Sequence, residues 1–168
     1  GYRLRTMGER QSAVTRSATM WAMALLGAMN LLNYIDPDPT RGGLLETPSR
    51  AAKAWQDWTS GYNMDAASIL KVFEDGAENY DQMVTVKDIP IYSHCEHHLA
   101  PIFGTVTISY IPNGKIAGLS KLDRLADMFA RRLQVQERLT NQIADALQEH
   151  LNPVGVGVWI NARHLCVE

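Results

Sequence analysis

Hydrophobic and polar positions change their period along this chain. Residues 10–34 are predicted as a helix, apolar nearly all round toward its end, where the run Met20–Met29 is followed by Asn30. "DPDPTRGG", Asp36 to Gly43, is a Pro/Gly connector. Thr47-Pro48 has the form of an N-cap followed by proline at the first helical position. It predicts a helix to about Thr59, ended by Gly61. Residues 65–75 are predicted as another short helix. From Val84 the texture turns to strands. Val84–Ile89 is one, and Phe103–Ile111 alternates, with Val106, Ile108 and Tyr110 on one face and Thr105, Thr107 and Ser109 on the other. Pro112-Asn113-Gly114 marks a turn, and Lys115–Gly118 returns as a short strand. Ser120 is expected to cap a helix on which Leu122, Leu125, Ala126, Phe129 and Leu133 share a face. Leu139, Ile143, Ala146, Leu147 and Leu151 predict a second helix, stopped by Asn152-Pro153. The tail alternates again, with Val154, Val156, Val158 and Ile160 on one face. Helices, two strands, two helices and a strand predict an α+β fold with an antiparallel sheet.

Composition narrows the partners. The 168 residues suffice for one domain with a sizeable core, and 46% apolar with 20% charged residues is ordinary for a globular chain. A net charge of −2 gives no strong field toward nucleic acid or a membrane, so neither partner is expected. An anionic ligand must be held by local basic groups. The apolar run near Met20 is shorter than the roughly 20 residues of a membrane span, so a buried or intersubunit helix is expected. Two cysteines, Cys95 and Cys166, make no disulfide framework. No secretory signal is read ahead of them, and a reducing cytoplasm is the expected compartment. A single Cys95–Cys166 disulfide is the plain alternative. A chain that starts at Gly1 and stops at Glu168 inside a strand pattern reads as a trimmed piece.

The chemistry concentrates in "SHCEHHLAP", Ser93 to Pro101, which holds one thiol, three imidazoles and a carboxylate. Along the last strand, the parity of Ile160 continues to Ala162, His164 and Cys166. Two Cys/His clusters thus come from distant parts of the chain. Catalytic zinc takes three protein ligands and keeps a position for water, which Cys95, Cys166 and one histidine would satisfy. Spacing leaves the histidine open. A helical turn puts His98 beside Cys95, and an extended segment puts His97 there. A structural zinc would take a fourth ligand, His97 or His164. Against both stands the ordinary fate of such residues, since a lone buried cysteine is usually a small hydrophobe.

The stretches "SHCEHHLAPIFG", "GLSKLDRLADMFARRLQVQERLTNQIADAL" and "ARHLC" resemble the GTP cyclohydrolase I family, and "GLLETPSRAAKAW" resembles the helix that family carries upstream. The likeness runs from about Asp36 to Glu168. It implies the tunnelling fold, an antiparallel sheet with a helix pair between β-hairpins, in a catalytic domain over 63–168 preceded by a helical region over 1–62. It implies hydrolysis of GTP to 7,8-dihydroneopterin triphosphate and formate, one Zn2+, and a homo-oligomer, typically a decamer of two pentamers with sites at subunit interfaces. By the same likeness, Cys95, His98 and Cys166 match the zinc ligands, and His97 and His164 match the catalytic histidines. His164 would protonate the imidazole ring of GTP, and His97 would serve the later proton transfers. Glu137 matches the guanine reader, a carboxylate facing the N1–H and 2-amino donors, with Gln136 beside it. Arg50, Lys53, Ser120, Lys121 and Arg124 match the triphosphate-binding positions. The basic pairs also lie near helix starts, where free N–H groups favour anions.

One departure stands out. The family continues past the H-x-C strand with a triphosphate arginine and a further strand, and neither follows Cys166 here. That departure supports an alternative, an inactive subunit of the same type that only binds nucleotide or assembles. Relatives acting on 7-deazapurines through a cysteine nucleophile need no zinc trio, and all three matching residues are present here.

Overall fold

The computed structural model describes residues 7–70, 72–73, 80 and 82–168. They fall into two compact units, Gly1–Asp57 and Trp58–Glu168. The first holds helix α1 (Met7–Ile35) and most of α2 (Thr47–Trp58). Between them the Asp36 carboxylate accepts from the Asp38 N–H and pairs with Arg41, and Asp38 in turn accepts from Thr40, so the Pro/Gly connector is pinned by its own carboxylates. Arg41 holds the Asp36 carboxyl below its ordinary range. The Ala18–Ile35 stretch is long and apolar enough, by length and composition, to cross a membrane, and none of it is buried within the chain. Met20, Met23, Leu26 and Leu31 are all exposed. The expectation of a helix buried in its own chain is therefore not met.

The second unit is layered. A 3-10 turn (Ser60–Asn63) leads to α3 (Ala66–Ile69), whose first turn is capped by Asp65 accepting from the Ser68 N–H at 3.0 Å. Then come β1 (Val72–Phe73), β2 (Val84–Cys95), β3 (Pro101–Ile111), β4 (Ile116–Ala117), α4 (Leu119–Ala130), β5 (Leu133–Gln134), α5 (Gln136–Leu151) and β6 (Gly155–His164). The main sheet has the order β5-β2-β3-β6. β2/β3 and β3/β6 are antiparallel, β5 joins β2 in parallel, and β1 pairs separately with β4. The sheet is therefore mixed rather than wholly antiparallel. Helices α4 and α5 cover one face, where Ile91, Val106, Ile108, Leu122, Leu125, Leu139, Ile143 and Leu147 are fully buried. Each such side chain contributes about 1.5–3 kcal/mol by leaving water. The other face stays open, with Tyr92 and Trp159 exposed.

Two local devices set the strands. Between Val86 and Ile89 the β2/β3 register shifts, with Asp88 in the left-handed region at φ 56°. Before the bulge the even residues Val84 and Val86 face the core; after it the odd residues Ile89, Ile91, Ser93 and Cys95 do. Where β3 meets β6, Gly104 lies so close that a Cβ there would stand 2.1 Å from the Asn161 carbonyl oxygen. Only glycine admits that approach.

Several expectations are corrected. β2 runs on to Cys95, well past Ile89. Gly118, not Ser120, occupies the N-cap of α4, and Ser120 sits in its first turn. Leu133 leaves the helical spacing for β5, because Arg131 turns the chain at φ −75°, ψ 47°. The 65–75 helix shrinks to α3, followed by β1; positions 71 and 74–75 lie outside the described residues. Asn152 ends α5 in the left-handed conformation at φ 47°.

Candidate metal centre and active site

At the end of β2 the chain closes a helical turn. The Leu99 N–H donates to the Cys95 carbonyl at 2.8 Å, and the Cys95 N–H donates to the Ala100 carbonyl at 2.8 Å. Leu99 makes the reversal at φ 55°. A helical turn brings residues i and i+3 together, so His98 comes beside Cys95, with 3.7 Å between Nδ1 and Sγ. The His97 Nδ1 is 3.9 Å from the same sulfur.

The third member arrives along β6. Ile102 pairs with His164, the Leu165 N–H donates to the Pro101 carbonyl, and the Val167 N–H closes a turn onto the His164 carbonyl. That turn carries Cys166 back toward β2. The ligand atoms of Cys95, His98 and Cys166 all lie within 4.8 Å of one another. Tetrahedral coordination with bonds of about 2.0–2.3 Å puts ligand atoms roughly 3.4–3.8 Å apart. The Cys95–His98 separation already matches, and the donor set of two thiols and an imidazole suits a borderline-soft divalent metal. Both cysteines are free. Cys95 is buried, Cys166 half-buried and His98 exposed, so one side of the group stays open to a further ligand.

The thiols differ. The Cys95 thiol is pulled down to about 6, first by its hydrogen bond with His98 and then by the His97 backbone N–H. Burial pushes the Cys166 thiol up, and the neighbouring Cys95 sulfur adds to this. A metal must displace thiol protons, so the lowered Cys95 reduces that competition.

Potential proton carriers flank the group. The His164 Nε2 lies 3.0 Å from the Gln136 Oε1, and the Gln136 Nε2 donates to the Ile160 carbonyl at 3.3 Å. That orientation of the amide makes His164 the donor through Nε2. His97 is exposed, with its Nε2 3.7 Å from the Glu96 Oε1. The arrangement can hold a metal with an open position, with the His97 imidazole beside it and His164 two residues from Cys166.

Other sequence candidates sit farther out. Glu137 is exposed in the first turn of α5, next to Gln136. Ser120, Lys121 and Arg124 lie at the start of α4; among the described residues, no hydrogen bond or ion pair joins them to the metal turn. Arg50 and Lys53 are exposed one turn apart on α2, in the N-terminal unit, where Arg50 pairs with Glu46. Three features near the site escaped the sequence reading. Glu96 and Arg138 form a two-pronged ion pair, in which Arg138 holds the Glu96 carboxyl below its ordinary range. His94 stacks on Trp58, with ring centroids 5.0 Å apart. Buried Gln134 donates to the Phe129 carbonyl and to Gln142. The first two join residues 42 and 36 positions apart, too distant in sequence for local spacing to signal the contact.

Comparison with known proteins extends this picture. A family model described as GTP cyclohydrolase I matches residues 27–168. The chain is 64% identical over 138 residues to the GTP cyclohydrolase 1 of Janthinobacterium sp. (strain Marseille), covering 82% of this chain and 70% of that protein. It is 59% identical over 138 residues to the protein of the same name from Nitrosospira multiformis, covering 82% and 72%. The Chlorobaculum tepidum protein of that name is 54% identical over 150 residues, covering 85% of this chain and 66% of its own length. Over the matched span lie every residue of the metal group and both flanking histidines. The chain belongs to the GTP cyclohydrolase I family of enzymes.

Proposed function

We propose that the chain hydrolyses GTP to 7,8-dihydroneopterin triphosphate and formate, with Zn2+ held by Cys95, His98 and Cys166. The observation that carries this is the convergence of those three residues from the turns after β2 and β6, with His97 3.9 Å from the Cys95 sulfur and His164 two residues before Cys166. Zinc held by these three residues would supply Lewis acidity to activate a water. His164, steadied by Gln136, carries a proton to N7 of the guanine imidazole ring and makes C8 electrophilic. His97 moves protons in the later opening and rearrangement of the sugar. Glu137 accepts from N1–H and the 2-amino group, a pairing that adenine cannot offer and that therefore selects guanine. Ser120, Lys121 and Arg124 hold the triphosphate at the start of α4; the family likeness assigns triphosphate contacts to Arg50 and Lys53 of α2 as well.

The family likeness supports the tunnelling fold for the Trp58–Glu168 unit and a homo-oligomeric ring, a decamer of two pentamers, with sites shared between subunits. Exposed Glu137, Arg124 and Lys53 suit such shared sites, where a neighbouring subunit supplies the missing walls. The exposed apolar side chains of α1 suit packing between subunits. Reduced thiols in both metal positions suit the cytoplasm.

The test is direct. The purified chain, loaded with zinc and given GTP, is expected to release formate together with a pterin that becomes fluorescent on oxidation. Cys95→Ser and His164→Ala should each abolish both products. Zinc-loaded protein that binds GTP but releases no formate would sink the proposal.

A further inference from the structure

Glu96 sits inside the metal turn, between Cys95 and the two histidines, yet it is not one of the metal group. Its backbone N–H donates to the Gln134 carbonyl at 3.1 Å. Its carboxylate takes both prongs of Arg138, Nη1 on Oε2 and Nη2 on Oε1, the latter at 2.9 Å. Its Oε1 is also the oxygen 3.7 Å from the His97 Nε2. Backbone and side chain of one residue are thus tied to a single short segment, Gln134 to Arg138, which is β5 and the first turn of α5. That segment also carries Gln136 and Glu137.

From this geometry we infer that Arg138 is a positioning residue, clamping Glu96 so that the first turn of α5 keeps a fixed distance and rotation relative to the metal turn. The inference rests on the functional reading above, because it assigns the clamp to the register between guanine and metal. Consecutive helical side chains point about 100° apart, so holding Arg138 against the turn aims Glu137 in a set direction. The fork geometry matters more than the charge. A guanidinium on a carboxylate fixes angle as well as distance, whereas an ammonium is a point charge. Both partners are part-exposed, at 29% for Glu96 and 45% for Arg138, and exposed ion pairs add little to stability. The consequence therefore falls on alignment.

The experiment compares the unmutated chain with Arg138→Ala, Arg138→Lys and Glu96→Gln, each loaded with cobalt(II) and, separately, with zinc. Cobalt gives d–d absorption bands that report the ligand field without turnover. In the unmutated protein, GTP is expected to shift those bands. Arg138→Ala should keep one cobalt per chain, an unchanged metal-only spectrum and the parent's melting temperature. It should lose the GTP-induced shift, and kcat with zinc should fall about 10–100-fold while KM moves much less. Arg138→Lys should resemble Arg138→Ala. Parent-like kcat and band shift in Arg138→Ala would overturn the clamp alone, as would full rescue by lysine. Loss of the metal or of the melting temperature in all three variants would show a merely structural brace and overturn it too. An unmutated chain that neither turns over GTP nor shifts its cobalt bands would overturn the functional reading, and the clamp with it.

Discussion

Cys95, His97 and His98 lie within one turn, and the proposed roles of the two histidines are separable. His98 shares the candidate metal group with Cys95 and Cys166, whereas His97 lies outside that group, beside Glu96. Replacing Cys95, His98 or Cys166 by serine or alanine should therefore remove bound zinc, read as metal per chain after dialysis. His97→Ala should keep about one zinc and still lose formate release by roughly 100-fold or more, the usual scale of an acid–base group. A His97→Ala protein that had lost its zinc would place that residue among the ligands instead. Gly104 offers a second test at this scale. A methyl group there meets backbone rather than a movable side chain. Gly104→Ala should cost about 2–4 kcal/mol in urea unfolding, while alanine at Gly155, which has open space around it, should cost far less.

Among the elements, β2 carries the most information per residue, and its bulge leads to a prediction. A scan placing a charged residue at each position should find sensitivity at Val84 and Val86, then at Ile89, Ile91 and Ser93, with tolerance changing parity across Lys87-Asp88. Proteolytic resistance of each variant would read this out, and unbroken even-numbered sensitivity through to His94 would contradict the bulge. The same feature explains what the sequence could show and what it could not. Apolar spacing alone marked α4 and α5, because Leu122, Leu125, Leu139, Ile143 and Leu147 recur at the helical period and are all buried. Alternation marked β3 for the same reason. β2 was read only to Ile89 because one extra residue breaks its alternation, hiding the strand that delivers Cys95. Leu133 sits four residues after Phe129 and fits a helix; its parallel pairing with His94 is a long-range fact that no local window contains. The metal group was legible as chemistry, from two Cys/His clusters, but the choice of His98 depended on a turn closed by Leu99. Cys166 was expected on a continuing strand, and it reaches the group through a turn instead.

At the scale of the whole molecule, a bound metal would join the turn after β2 to the turn after β6, across the strand β3 that separates them. Ligand binding to the native state alone stabilises it by about 4 kcal/mol when the ligand exceeds its Kd about 1,000-fold. For a chain of this size that is roughly 8–16 °C in Tm. Calorimetry should show a rise of that order on adding zinc to chelator-treated protein, and no rise in Cys166→Ser. The wide separation of the two cysteines has a further consequence, in time rather than in space. A ribosome adds about 5–20 residues per second, so Cys95 waits several seconds after its synthesis before Cys166 exists. Throughout that interval half a binding site is present, Cys95 and His98 without Cys166. Capture of a metal by all three residues therefore belongs to the last moments of synthesis or after it.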